Sequence, residues 1–145
     1  MKYFKIYLSG GMMKFGAENF NQSNNWREYC KNALKSYESN YDIDIFNPND
    51  YFCFKEDAPK YTSEFEVMNF DLRNLRNSDL VIVNFNDKWS LGTISEIAIA
   101  YDRGIPVIGL DIDKQELHSW QKCFCERIFD DIDEMLDYVE DFYLR

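Results

Sequence analysis

Histidine is almost missing from this chain: its 145 residues include one, His118, beside four cysteines, three prolines and six glycines. Cys30, Cys53, Cys123 and Cys125 show no C-x-x-C spacing. With so few soft or imidazole ligands a zinc site is not expected, and the sequence assigns neither a metal nor a cofactor. Reduced thiols, mostly buried, are the expectation. Cationic side chains are also scarce, 16 Lys and Arg against 26 Asp and Glu, for a formal charge of -10. A polyanionic nucleic-acid partner needs clustered Lys and Arg to displace counterions, so it is excluded in favour of a small molecule.

No apolar run approaches the roughly 20 residues that span a bilayer, which removes the membrane as a partner. Met1-Lys2-Tyr3-Phe4-Lys5 lacks the apolar core of a signal peptide, and a cytoplasmic protein is expected. Repeats, low-complexity tracts and linkers are absent. What the chain does have is apolar content, 46% of residues with 17% aromatic, enough to fill the core of one domain over 1–145. The acidic residues Asp130, Asp131, Asp133, Glu134, Asp137, Glu140 and Asp141 read as the solvated face of a terminal helix.

The stretch 77–109 organises the rest. Leu80-Val81-Ile82-Val83 is short, wholly apolar and rich in β-branched residues, the pattern of a parallel strand buried on both faces. A polar loop follows, then Ile94, Ile97, Ala98 and Tyr101 at helical spacing, then Gly104 as a C′ residue and the apolar run from Ile105. Ligands of open α/β sheets sit beyond the carboxyl ends of the strands, which puts chemistry in the loop 84–92 and the first turn of the following helix. Glu96 stands there. Its residue pattern has two readings: Thr93-Ile94-Ser95-Glu96 matches a capping box, in which the glutamate ties back to its own helix, or the carboxylate is free for chemistry.

Earlier in the chain, Phe4-Lys5-Ile6-Tyr7-Leu8 predicts a strand, ended by Ser9-Gly10-Gly11. A glycine pair there lets backbone amides approach a ligand, although the segment is neither G-x-G-x-x-G nor a P-loop. Residues 12–25 predict a loop over the site. Trp26, Tyr29, Cys30, Ala33, Leu34 and Tyr37 form one helical stripe, and Ile43 and Ile45 mark a second strand closed by Asn47-Pro48-Asn49-Asp50. Residues 51–61 have no period and read as a loop. A helix over 62–76 is predicted to bury Phe65, Met68, Leu72 and Leu75. Asp71 shares that face, and Val67, Met68, Asn74 and Leu75, at i±3 and i±4, give it no basic partner. A carboxylate so placed either caps a neighbouring group or has a chemical task. His118-Ser119-Trp120 lies in a connection of no assigned role, residues 124–129 predict a fifth strand, and Ile132, Met135, Leu136, Val139 and Tyr143 stripe a last helix. Alternating strands and helices predict an α/β, doubly wound parallel sheet of about five strands in flavodoxin-like order, with strands one and three adjacent.

Five pieces in order, Ile6-Tyr7-Leu8-Ser9-Gly10-Gly11, Asn69-Phe70-Asp71-Leu72, Ser78-Asp79, Gly92-Thr93-Ile94-Ser95-Glu96 and Gly104-Ile105-Pro106-Val107, together resemble the nucleoside 2-deoxyribosyltransferase family. The resemblance implies cleavage of the N-glycosidic bond of a 2′-deoxynucleoside, with Glu96 as nucleophile, Tyr7 holding it and Asp71 helping the base depart. It implies a substrate crevice lined by Ser9, Gly10, Gly11, Asn84, Asp87, Ser90, Gly92 and Thr93. The partners implied are a nucleoside or nucleotide, a free nucleobase and further copies of the chain, as a homodimer or higher homo-oligomer. Where transferases of the family carry an aspartate six residues before the nucleophile, this chain has Ser90, a residue that resembles the related nucleoside 5′-monophosphate N-glycosidases instead. Gly11-Met12-Met13 nevertheless lacks the serine and arginine that those hydrolases use for phosphate, and Asp87 is an alternative contact for a sugar hydroxyl. Base transfer is therefore the first expectation, nucleotide hydrolysis the second, and a nucleotide-binding sensor without turnover the third.

Overall fold

The computed structural model describes residues 2–12, 20–51 and 63–145, with the side chain of Phe20 left aside. Five strands, β1 (Lys2–Gly10), β2 (Tyr41–Phe46), β3 (Leu80–Asn84), β4 (Val107–Leu110) and β5 (Arg127–Phe129), form one sheet in the order β2-β1-β3-β4-β5. Every pairing is parallel. The chain is thus the expected α/β protein with a flavodoxin-like sheet, and the order reverses between β1 and β3, where a crevice opens at the carboxyl ends.

Among the described residues five α-helices flank the sheet: α1 (Phe20–Ser36), α2 (Glu64–Arg76), α3 (Leu91–Asp102), α4 (Ser119–Phe124) and α5 (Ile132–Tyr143). Strand parity divides the core in two. Ile6 and Leu8 of β1 join Ile82, Ile108 and Leu110 against Cys30 and Leu34 of α1 and Met135, Leu136 and Val139 of α5. Tyr7, Val81, Val83 and Val107 point the other way, onto Leu75 of α2 and Ile97 and Ala100 of α3. All five β3 residues are buried, as a strand covered by helices on both faces requires. Gly104 follows the C-cap of α3 with φ of 73°, a conformation that costs other residues energy and glycine little.

Several expectations change. Helix α1 is described from Phe20 onward, so the loop foreseen over 12–25 is helical over 20–25, while residues 13–19 lie outside the described residues. The expected loop 51–61 begins with a turn at Tyr51 and otherwise lies outside them, as do Cys53 and Thr62. Residues 119–124 form α4, which shortens the fifth strand to its last three positions; His118, an apparent connector, is the N-cap of α4, and its side chain accepts from Trp120 N at 3.1 Å. Cys30 is buried and Cys125 half-buried, but Cys123 is exposed.

The face of α2 is also turned. Phe65 is 70% exposed and Met68 51%, whereas Phe70 packs on Phe46 at 5.9 Å and Tyr51 at 5.1 Å between ring centroids. Leu75 is buried and Leu72 half-buried as expected, but ring contacts with Phe46 of β2 and with Tyr51 turn Val67 and Phe70 inward in place of Phe65 and Met68. Tyr29 is likewise exposed, its hydroxyl 2.5 Å from Asp133 Oδ1.

Ile82 is fully buried in the central strand. Ile82→Ala is expected to lower unfolding free energy by about 2–5 kcal/mol in urea titration; a loss below about 0.5 kcal/mol would contradict this core assignment.

Candidate active site

Beyond the carboxyl ends of β1 and β3, alternation along β1 decides what faces the crevice. Tyr7 and Ser9, two residues apart, project from the same side of the strand toward α3. Both are buried, and both bond the same side chain: Tyr7 Oη donates to Glu96 Oε2, and Ser9 Oγ donates to Glu96 Oε1 at 2.8 Å.

The position of Glu96 follows from where α3 begins. Ser90 is the N-cap, accepting from Thr93 N at 3.3 Å and from Thr93 Oγ1 at 3.0 Å. Thr93 is therefore the third residue inside the helix, and Glu96 lies one turn further on. The capping-box reading of Thr93 to Glu96 does not hold, because Ser90 already caps the helix and both Glu96 oxygens are bonded across to β1.

Asp71, on the inward face of α2, is the second carboxyl group. Burial, followed by the charge of Glu96, raises its pKa to about 7, while Arg27 opposes the rise. Burial also raises Glu96, but hydrogen bonds from Tyr7 and Ser9 and the charge of Arg27 pull it back. Tyr7 is pushed well above the ordinary phenol range by burial and by Glu96, so it remains a donor. Two carboxyl groups in one crevice thus have different proton affinities, the arrangement that lets one act as an anion and the other as an acid.

The remaining expected residues separate by their local work. Gly10 and Gly11 end β1 in close packing: a Cβ on Gly10 would come within 2.8 Å of Trp26 Cζ2, and one on Gly11 within 2.8 Å of Asp87 Cβ. Gly11 N donates to Asn86 Oδ1 at 2.9 Å, which joins the two crevice loops. Asn84 is buried at the end of β3, paired with Gly10 in the sheet register. Asp87 Oδ1 accepts from Trp89 N at 3.2 Å, and its loop brings it against Gly11. Thr93 is buried beneath the cap, and Gly92 is exposed with open space where a Cβ would stand. Ser90 and Thr93 therefore have a structural task at the start of α3, while Tyr7, Ser9, Glu96 and Asp71 converge. Among the described residues no group of three or more His, Cys, Asp or Glu could hold a metal ion.

Sequence reasoning missed Arg27. It is 1% exposed, with its guanidinium bonded to the carbonyls of Ser23, Leu8 and Gly10. A signal existed: Arg27, Cys30 and Leu34 share a helical stripe, so the cation falls on the buried face of α1. Asn86 was also missed, hidden in a loop with no periodic pattern.

A parallel sheet with a crevice at its switch point and two unlike carboxyl groups defines an α/β protein equipped for acid and anion chemistry on a small molecule. The chain belongs to the nucleoside 2-deoxyribosyltransferase family, whose model matches residues 6–139, and it is an enzyme of that kind, acting on nucleosides or nucleotides. Among solved structures it is similar to a conserved protein from Enterococcus faecalis V583, at 19% identity and TM-score 0.75, covering 96% of this chain and 98% of that one. It is also similar to a 2-deoxyribosyltransferase from Bacillus psychrosaccharolyticus, at 17% identity and TM-score 0.69 over 92% and 91% of the two chains. A CMP N-glycosidase from Clostridium botulinum shares 19% identity at TM-score 0.65, over 97% of this chain and 99% of that one. Among curated protein sequences none matches. No helix of the described residues is long and apolar enough to cross a membrane.

The raised pKa of Asp71 makes its ionisation unfavourable to the folded state. Its folded value lies above the unfolded one near 3.9, so stability is highest below that value and falls as pH rises toward about 7. Asp71→Asn removes this loss and is expected to be more stable than the parent at pH 8, by up to about 3–4 kcal/mol, with the advantage shrinking toward pH 4. Denaturant titrations at pH 4.5, 6 and 8 measure it; a pH-independent difference would refute the assignment.

Proposed function

We propose that the protein cleaves the N-glycosidic bond of a 2′-deoxynucleoside and passes the deoxyribose to a second nucleobase. The observation that carries this reading is the Glu96 carboxylate, held by Tyr7 and Ser9 at the mouth of the switch-point crevice with a protonatable Asp71 in electrostatic reach. Glycosidic cleavage passes through an oxocarbenium-like transition state, which a nearby anion stabilises. A Glu96 oxygen forms a bond to C1′ as the C1′–N bond breaks and its electron pair goes to the base, which takes a proton from Asp71. A nitrogen of the incoming base then attacks C1′, the glutamyl ester opens, and the incoming proton returns to Asp71. The missing 2-hydroxyl helps, because an electron-withdrawing group beside C1′ would oppose the cation. Such an exchange is a salvage reaction, and its expected compartment is the cytoplasm.

Transfer is preferred over nucleotide hydrolysis because Gly11-Met12-Met13 lacks the serine and arginine that the related hydrolases use for phosphate; Ser90 accepts two hydrogen bonds as the cap of α3, and its own hydroxyl proton is left to donate. Asp87 is assigned to a sugar hydroxyl, with Gly10, Gly11 and Asn84 forming the floor beside it. The protein is expected to work as a homo-oligomer. Helices α2, α3 and α4 are neighbours in the order α2-α3-α4, and each leaves a large apolar side chain exposed, Phe65, Leu91 and Trp120 at 70%, 81% and 69%. A second copy of the chain is the proposed cover.

Three measurements test this reading. Incubation with a deoxynucleoside and a different free base should give base exchange; release of free sugar or sugar phosphate instead would identify the hydrolase, and binding without product the sensor. Glu96→Gln should lower turnover at least 10³-fold with the fold unchanged, since it removes the nucleophile and keeps the shape. Sedimentation should give a mass above one chain, and Phe65→Asp with Leu91→Asp should return it to one; a parent protein already monomeric at assay concentration would dismiss the oligomer.

A further inference from the structure

In a chain of net charge -10, one cation among the described residues is withdrawn from solvent: Arg27, on α1, is 1% exposed. Burying a guanidinium is unfavourable unless hydrogen bonds and opposite charges offset the lost hydration. Its hydrogen bonds go to neutral carbonyls, those of Ser23, of Leu8 at 3.5 Å and of Gly10 at 2.9 Å. Trp26 covers one face of it, 4.8 Å from Cζ to the ring centroid. No carboxylate within ion-pair distance of it is found among the described residues. The position nonetheless has an evident relation to the site: Leu8 and Gly10 alternate along β1 with Tyr7 and Ser9, whose hydroxyls hold Glu96. Gly10 is what admits the cation, because a Cβ there would stand 3.2 Å from Arg27 Nη2 and closer still to Trp26.

We propose that Arg27 is the positioning residue of this site, fixing the end of β1 that carries Tyr7 and Ser9 and setting the charge balance between Glu96 and Asp71 from behind the strand. The proposal rests on the reading of the site given above and names a residue that reading does not use. Among the described residues, Tyr7 and Ser9 from β1 bond Glu96, and Arg27 from α1 acts on it through the strand; Asp71 feels Glu96 and Arg27, Tyr7 feels Glu96, Asp71 and Arg27, and Cys30 lies beside Arg27. Arg27 lowers the proton affinity of both carboxyl groups, and burial in turn lowers its own pKa to about 10, which leaves it charged at neutral pH. Without the cation, Glu96 loses one of the influences that keep it an anion in a half-buried place. Asp71, already raised by burial, rises further.

The sign of the effect separates this role from a structural strut. The nucleophile is needed ionised, so activity falls as pH drops through the Glu96 value; the acid is needed protonated, so activity falls as pH climbs through the Asp71 value. Removing Arg27 raises both, and the whole pH-rate bell moves to higher pH. A lost strut lowers its height without moving it.

The test uses the full chain with carboxyl-13C-labelled Asp and Glu, assigned with Asp71→Asn and Glu96→Gln, and follows both titrations by NMR in the parent, Arg27→Gln, Arg27→Met and Arg27→Lys. The neutral variants should raise both titrations by roughly one pH unit or more, and Arg27→Lys should restore at least half of the shift. The pH-rate profile of base exchange should move in the same direction. Titrations unchanged in a folded neutral variant would overturn the proposal, as would loss of the fold in all three variants, which makes Arg27 a strut. If only Arg27→Lys folds, parent-like titrations support the proposal and displaced ones overturn it. The NMR readout needs no turnover, so a parent protein without base exchange refutes the proposed reaction and leaves this inference to be decided by the titrations.

Discussion

The site depends on the hold that β1 has on Glu96. Each carboxylate oxygen receives one hydroxyl, from Tyr7 and from Ser9, and the two donors are adjacent same-face positions of a strand buried in the sheet. That geometry requires α3 to start at Ser90, so that its second turn brings Glu96 over the end of β1. It requires β1 and β3 to be neighbours, so that the helix following β3 lies across β1. Strand order, helix start and side-chain parity therefore converge on one carboxylate, and a change in any of them would turn it elsewhere.

A half-buried carboxylate is costly, and here three influences offset the cost: two hydroxyl donors and a cation on the far side of the strand. Asp71 receives less help. It lies close enough to Glu96 to be disfavoured by its charge, with burial the larger effect, and its pKa rises to about 7. The same enclosure acts on both residues; the difference lies in what each is bonded to. This is how two chemically similar side chains come to hold a proton differently in one crevice.

An aromatic series links the carriers of the two carboxyl groups. Tyr7 stacks on Phe46 at 5.1 Å, Phe46 on Tyr51 at 5.1 Å, and Phe70, the residue before Asp71, packs against both Phe46 and Tyr51. The ring contacts that orient α2 thus also set the depth of Asp71. They explain why Phe65 and Met68 are left outside and why α2 presents its acidic residue to the crevice.

What could be read from the chain was local and periodic. The wholly apolar Leu80-Val81-Ile82-Val83, the stripe of α5 and the glycine after α3 name their own structures, because burial on both faces, helical spacing and positive φ each restrict residue type directly. Strand order followed from alternation and family resemblance, and Glu96, Asp71, Tyr7 and Ser9 were visible as residues. Their relation was not. Whether Glu96 capped its own helix or crossed to β1 turned on a three-residue difference in where α3 begins, and spacing fits both. The face of α2 was decided by the rings of Phe46 and Tyr51, and the burial of Arg27 by its bonds to the carbonyls of Leu8 and Gly10, distant in sequence. Periodicity reports which residues share a face, whereas contact between faces distant in sequence depends on how elements pack, and only the folded chain brings Arg27, Asp71 and Glu96 within range of one another.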